Sequence, residues 1–108
     1  MWSLLTDPNQ LDQLIHESHQ RTQVIFKHST RCSISRVALS RFDREPAADA
    51  NAVFYLLDLL QHRNLSKQIT ERFGITHESP QALIIRNGAC SFYLNHLDIE
   101  PVDVYANC

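Results

Sequence analysis

The amino-acid sequence predicts an α/β fold in which a mixed central β-sheet of about four strands carries helices on both of its faces. Segments with helical spacing alternate with short runs of β-branched and apolar residues, the pattern expected of helices that connect strands. The last two apolar runs are separated by Asn87-Gly88, a residue pair typical of a tight β-hairpin. The chain has 108 residues, which fits a single domain over residues 1–108 and leaves no room for a second core.

The order of the predicted elements follows from residue spacing and capping residues. Four helices are predicted. The first is capped by Asp7 or Asn9 and runs to about Gln20, and the second begins near Cys32 and ends before Pro46. The third is capped by Asn64 or Ser66 and ends at Gly74, and a short terminal helix begins at Pro101. The predicted strands cover residues 23–28, 52–57, 81–86 and 89–94. Because crossovers between parallel strands are right-handed, few topologies remain, and the thioredoxin-like arrangement is the leading one.

Composition and charge argue against several classes of function. The net charge of −2 argues against nucleic-acid binding. No apolar run could span a bilayer, and the first residues lack the features of a secretion signal, so we expect a cytoplasmic protein without membrane contact. Three widely spaced cysteines fit neither a disulfide scaffold nor a CxxC metal site, and the six histidines lack ligand spacing, so we expect no metal site.

Positive charge is concentrated around one cysteine. Five of the ten Lys and Arg residues lie in the segment that surrounds Cys32: Lys27, Arg31, Arg36, Arg41 and Arg44. Two interpretations are about equally strong: the charges form the solvated face of a helix, or they form a positive field at the thiol.

Cys32 is the candidate nucleophile because it stands where a buried strand gives way to an amphipathic helix. The unpaired N–H groups and the dipole of a helix N-terminus favour the thiolate, and Arg31 would act in the same direction. Ser35, one helical turn later, could donate a hydrogen bond to the thiolate but cannot form a disulfide. A mixed disulfide at Cys32 must therefore be resolved by another thiol. A buried structural cysteine is the alternative interpretation.

The second candidate element is the run Glu78-Ser79-Pro80-Gln81, which precedes a predicted strand. A proline at the entrance to a strand is a candidate for a cis peptide bond, and an ordinary turn proline with a trans bond is the alternative. In a thioredoxin-like fold this loop faces the nucleophile, where the backbone of Ser79 would be offered to an extended substrate.

These runs together resemble a known family. The segments are Phe26-Lys27-His28-Ser29-Thr30-Arg31-Cys32-Ser33-Ile34-Ser35, Gly74-Ile75-Thr76-His77-Glu78-Ser79-Pro80-Gln81 and Asn87-Gly88. They are similar to the active-site segment, the cis-proline loop and the hairpin of the bacillithiol-system redox-active proteins of YtxJ type, the monothiol bacilliredoxin-like family. The similarity covers most of the chain, from Trp2 to Ile99.

The resemblance implies a thioredoxin-like fold and an enzyme that removes bacillithiol from S-thiolated client proteins. Its catalytic residues would be Cys32 and Ser35, and its substrate-binding residues Arg31, Ser33, Ser79 and Pro80. No cofactor would be bound, since bacillithiol or a comparable low-molecular-weight thiol is a co-substrate. Bacillithiol carries two carboxylates, which would give the basic residues Arg31 and Arg36 a purpose. We expect a monomer or a weak dimer.

Two features depart from the family pattern. The family usually has proline directly after the cysteine, where this chain has Ser33, so the reactivity of the thiol is open. The chain after Ile99 is short, which predicts a shortened last helix and thinner cover on one face of the sheet.

Other residues and functions stay open. We expect Cys90 to fill the core, Cys108 to be a mobile terminal residue that resolves Cys32 only if the tail reaches it, and His28 to point to the sheet edge or solvent. One alternative function is a catalytically weak partner-binding module that uses the face of Cys32 and Pro80. Another is a glutaredoxin-like protein that holds an iron–sulfur cluster between two subunits through one cysteine each.

Overall fold

The computed structural model of the chain describes residues 1–46 and 51–108, which form one mixed five-stranded sheet with helices on both faces. The strands are β1 (Trp2–Leu4), β2 (Thr22–His28), β3 (Ala52–Asp58), β4 (Gln81–Arg86) and β5 (Ala89–Asn95). The helices are α1 (Pro8–Glu17), α2 (Ser33–Arg44), α3 (Arg63–Phe73) and α4 (Pro101–Ala106), with a 3-10 turn over His96–Asp98. The strand order is β1-β3-β2-β4-β5, in which β1, β3 and β2 are parallel while β4 and β5 are antiparallel to their neighbours. The class is the predicted thioredoxin-like α/β fold.

The sheet is packed on both faces, so its central strand is buried along its whole length. All seven residues of β2 are buried, and alternate side chains enter different cores. Val24 and Phe26 face a core built with α2 and α4, whereas Ile25 faces a core built with α1 and α3. This arrangement places the ends of β2 and β3 at one edge of the sheet, between helices of both layers.

The strand count differs from the prediction, which has about four strands. The additional strand, β1, has three residues and pairs in parallel with β3 through registers such as Trp2 with Phe54. A three-residue run with two exposed members shows no readable alternation, so spacing alone does not reveal it. Its place in the sheet is fixed by the indole of Trp2, which packs edge-on against the rings of Phe26, Phe42 and Phe54.

Two helix boundaries also differ. Helix α1 ends at Glu17 rather than near Gln20, since Ser18 already serves as its C-cap. Helix α3 begins at Arg63, with His62 as an N-cap that provides no side-chain hydrogen bond, rather than after Asn64 or Ser66. Its predicted end is confirmed: Gly74 has a φ of 67° and so adopts the left-handed conformation that glycine tolerates best. None of the helices in residues 1–46 and 51–108 is long and apolar enough to cross a membrane.

Candidate active site

Cys32 is the N-cap of α2, in the loop that follows the central strand. Its backbone is extended, its N–H donates to the carbonyl oxygen of Ser29 at 3.1 Å, and its carbonyl oxygen accepts from the N–H of Arg36 at 3.1 Å. Its side chain makes no capping hydrogen bond and is partly exposed. The thiol therefore stands at the end of α2 where the first-turn N–H groups have no partner within the helix.

Ser35 supports the loop that carries Cys32. The residue is fully buried, and its hydroxyl oxygen accepts a hydrogen bond from the N–H of Ser29 at 3.0 Å. The same oxygen lies 2.6 Å from Nδ1 of His28. Sequence reasoning predicts a hydrogen bond from this hydroxyl to the thiol, whereas its partners in the described part of the chain are both at the end of β2. Ser35 contacts the base of the Cys32 loop and not the sulfur.

His28 lies beneath α2 and is only 7% exposed, so the expectation that it points to the sheet edge or solvent is wrong. The reason is its register: β2 is the central strand, and residue 28 shares a face with Val24 and Phe26. Burial lowers the pKa of the His28 imidazole, while the carboxylate of Asp58 opposes that shift and the guanidinium of Arg36 adds to it. The neutral ring is therefore the favoured partner of the Ser35 hydroxyl.

The loop before β4 forms the second half of the site. The peptide bond between Ser79 and Pro80 is cis, and Pro80 is buried. The carbonyl oxygen of Pro80 accepts from the N–H of His96 at 2.8 Å, and the His96 Nε2 lies 3.1 Å from a carboxylate oxygen of Glu78. Within residues 1–46 and 51–108, no backbone hydrogen bond engages Ser79, and its buried hydroxyl oxygen has no partner.

A buried polar group on the other face of the sheet holds this loop. Gln81 is fully buried; its amide nitrogen donates to the carbonyl oxygen of Thr76 and to Oδ1 of Asn95, each at 3.0 Å. Its amide oxygen accepts from Nζ of Lys27 at 3.3 Å. Lys27 is also fully buried, and burial lowers the pKa of its amine to about 8. Sequence reasoning counts Lys27 with the charges around Cys32 and misses this role.

The basic residues around Cys32 therefore do not form a single positive field at the thiol. Arg31 lies in the loop before Cys32, Arg36 lies in α2, and both are exposed, as is Ser33, the first residue of α2. Arg41 donates to the carbonyl oxygens of Leu97 and Ile99, so its role is to hold the chain after β5.

The two other thiols lie at the opposite end of the sheet. Cys90 pairs with Ile85 of β4, and the carbonyl oxygen of Cys108 accepts from the hydroxyl of Thr22, the first residue of β2. Cys32 lies in the loop that follows the other end of β2, and a seven-residue strand is about 20 Å long. Cys108 is partly buried and its Sγ lies 3.2 Å from the carbonyl oxygen of Val104, so the expected mobile, exposed residue is not what the structure has. Burial raises the pKa of both thiols.

The described residues contain no group of three or more histidine, cysteine and acidic side chains arranged to hold a metal ion. Where the neighbouring strands β2 and β4 meet the site, the described part of the chain has one partly exposed thiol and a stretch of backbone without hydrogen bonds at Ser79. Such an arrangement can form and exchange a disulfide with a molecule from outside the protein.

Comparisons with known proteins agree with this geometry. Residues 3–104 match the model of the family described as monothiol bacilliredoxin BrxC. A solved structure that was provisionally described as an oxidoreductase with a thioredoxin fold is 30% identical, with a TM-score of 0.84, over 96% of this chain and 90% of that one. Thioredoxin from Malassezia sympodialis is 20% identical with a TM-score of 0.73, over 98% of this chain and 86% of its own. Thioredoxin from Schistosoma mansoni is 18% identical with the same TM-score, over 97% and 93%.

Proposed function

Because the chain belongs to the monothiol bacilliredoxin family, we propose that it removes bacillithiol, or a comparable small thiol, from mixed disulfides of client proteins in a bacterial cytoplasm. The observation that carries the proposal is the isolation of Cys32. Its neighbour one helical turn on is Ser35, and Cys90 and Cys108 lie at the far end of the sheet. An internal disulfide with Cys32 is therefore out of reach, which favours a route through one protein thiol.

The reaction proceeds by two thiol–disulfide exchanges. The thiolate of Cys32 attacks the small-thiol sulfur of the client's mixed disulfide, and the client sulfur leaves as a thiolate that takes up a proton. Cys32 then carries the small thiol as a new mixed disulfide. A second small-thiol molecule, as its thiolate, attacks the small-thiol sulfur of that adduct; this forms the symmetric small-thiol disulfide and returns the Cys32 thiolate. Each step forms one S–S bond and breaks one.

The client is proposed to bind along the Ser79–Pro80 loop. The free backbone groups of Ser79 suit an extended peptide that adds hydrogen bonds as a strand does. Beside the thiol, Ile34 and Val37 are 43% and 48% exposed and present apolar surface on α2. This surface also suits the alternative, a module that binds partners without turning them over.

Mass spectrometry of the intact protein tests the proposal. The reduced protein is mixed with bacillithiol disulfide or glutathione disulfide, and the adduct is mapped by peptide digestion. We expect one small-thiol adduct at Cys32, loss of that adduct in Cys32→Ser, and its retention in the matched variant Cys108→Ser. A bacillithiolated client should then regain its free thiol only with protein that has Cys32.

Two outcomes would contradict the enzyme. If Cys32 forms no adduct with any small disulfide, the exchange chemistry is wrong. If the client binds but keeps its small thiol during incubation with reduced protein and free bacillithiol, the binding-module alternative is correct.

A further inference from the structure

A polar cavity of about 310 Å³ opens between two loops at the active-site edge of the sheet. One wall is the loop between β2 and α2, and the other is the loop between β3 and α3. We call this cavity the inter-loop cleft; its lining residues are Thr30, Arg31, Asp58, Leu60, Gln61 and Arg63. The volume lies at the lower end of the range for small-molecule pockets.

The cleft lies at a place in the topology that suits ligand binding. From β2 the chain crosses to β3 through α2, while α1 and α3 cover the opposite face. Connections that follow two adjacent parallel strands therefore diverge to opposite faces and leave a crevice at the strand ends. Thr30 and Arg31 directly precede Cys32, so a small molecule attached to that sulfur starts at the rim of the crevice.

The charges of the cleft are mostly uncompensated. Arg31 and Arg63 come from different loops, both are exposed, and neither forms a salt bridge or a side-chain hydrogen bond with another residue in the described part of the chain. The single carboxylate, Asp58, accepts from the N–H of Leu60 at 3.0 Å. Two guanidinium groups against one carboxylate give the cleft a net positive charge.

Arg63 also lacks a structural reason for its position. It is the first residue of α3, where the helix dipole disfavours a cation, and the first turn of α3 has no acidic residue to offset it. A residue that opposes the local preference of its helix and has no internal partner is better explained by a ligand than by folding.

We propose that the inter-loop cleft binds the anionic arm of the small thiol while its sulfur is joined to Cys32. This inference rests on the proposed function and adds the ligand-binding residues Arg63 and Gln61, which no sequence pattern assigns. The recognised chemistry is a carboxylate-bearing thiol: Arg31 and Arg63 would hold carboxylate oxygens by charge-assisted hydrogen bonds. The client polypeptide, by contrast, would lie on the Ser79–Pro80 side, so the two parts of the substrate occupy different sides of the thiol.

The test compares disulfides that differ in charge. Rates of adduct formation at Cys32 are measured with bacillithiol disulfide, with glutathione disulfide and with uncharged bis(2-hydroxyethyl) disulfide. The quantity compared is the ratio of the rate with each anionic disulfide to the rate with the uncharged disulfide. We expect Arg63→Gln to lower this ratio about fivefold and Arg63→Glu to lower it further. Added salt should reduce the wild-type ratio, because the cleft is open to solvent.

Lys67→Gln is the matched control. Lys67 is on the same helix, one turn further on, and is exposed; it shares a second cavity with Arg63 but does not line the inter-loop cleft. This variant therefore changes the net charge equally and should keep the ratio within about twofold. An unchanged ratio in both Arg63 variants, or an equal fall in Lys67→Gln, overturns the inference. A fall with bacillithiol disulfide alone supports a bacillithiol-specific cleft, and a fall with both anionic disulfides supports a general carboxylate site. Failure of the proposed function looks different, since no adduct would form at Cys32 with any of the three disulfides.

Discussion

The last two residues of the central strand point to opposite faces of the sheet, and each is a buried base that supports a different half of the active site. His28 contacts Ser35, which holds the loop of Cys32, whereas Lys27 contacts Gln81, which holds the loop before β4. On the α2 face the group is neutral and its contact is close, at 2.6 Å. On the α3 face a lysine donates over a longer 3.3 Å contact in surroundings that disfavour its charge. At neutral pH the Cys32 loop therefore rests on an imidazole whose pKa burial lowers from 6.5, and the loop before β4 rests on an amine whose charge burial disfavours.

Replacement of Gln81 should give the largest effect. Gln81→Leu removes the partner of Lys27 and leaves the carbonyl oxygen of Thr76 and Oδ1 of Asn95 without their donor. We expect a loss of about 3 kcal/mol in the free energy of unfolding, measured by urea denaturation. Removal of the small thiol from a bacillithiolated client should slow more than the reaction of Cys32 with a small disulfide.

The matched control for that variant is Gln23→Leu. Gln23 is equally buried but has one side-chain hydrogen bond, to the carbonyl oxygen of Arg21. Its replacement should cost about 1 kcal/mol. Equal losses in the two variants would show that the loop before β4 is not held by the Gln81 contacts.

The amine of Lys27 predicts a specific dependence of stability on pH. Its pKa is about 8 in the folded protein and 10.5 when unperturbed, so between these values the unfolded state binds more protons. The cost of burying the charge is fully present below pH 8 and is relieved as the pH rises toward 10.5. The wild-type free energy of unfolding should therefore rise by about 2 kcal/mol relative to Lys27→Met between pH 8 and pH 10.

Subtraction of the two proteins is needed in this measurement because burial raises the pKa values of Tyr55, Tyr105, Cys90 and Cys108, so these groups add their own dependence of stability on pH. Parallel pH profiles for wild type and Lys27→Met would mean that the amine keeps its unperturbed pKa of 10.5 in the folded state and is therefore solvated there.

Loss of the Ser35 hydroxyl should have the smallest effect on stability but a clear one on the nucleophile. Ser35→Ala leaves Nδ1 of His28 and the N–H of Ser29 unpaired, at a cost of about 1.5 kcal/mol. Because Ser29 also accepts from the N–H of Cys32, the reaction of Cys32 with iodoacetamide should slow. Ser40→Ala on the same helix is the control, and a comparable change in both rates would argue against a positioning role for Ser35.

Much of the fold is predictable from the sequence, since it depends on local signals. Apolar periodicity and the Gly74 cap predict α3 to its last turn, and Asn87-Gly88 predicts the β4–β5 hairpin. The two parts of the candidate site, Cys32 and Ser79–Pro80, are proposed from sequence because each precedes an element, and the structure has them at the N-cap of α2 and at a cis peptide bond before β4.

The contacts behind the site are not predictable in the same way. His28 and Lys27 are adjacent in a strand that is buried on both faces, and such a strand has no exposed polar face from which to tell which residue faces which helix. The alternation from Val24 through Phe26 is the signal that would have placed His28 under α2. The role of Gln81 depends on residues up to 54 positions away, such as Lys27, and no local pattern encodes that pairing.

The short strand β1 has a practical consequence for every unfolding experiment above. Trp2 is the only tryptophan, and its indole is surrounded by three phenylalanine rings whose centroids lie 5.3 to 5.7 Å away. One of these rings belongs to β2, one to α2 and one to β3. The emission spectrum of Trp2 therefore reports the integrity of the sheet and of α2. Its emission should shift to longer wavelength when unfolding exposes the indole to water, so no added dye is needed.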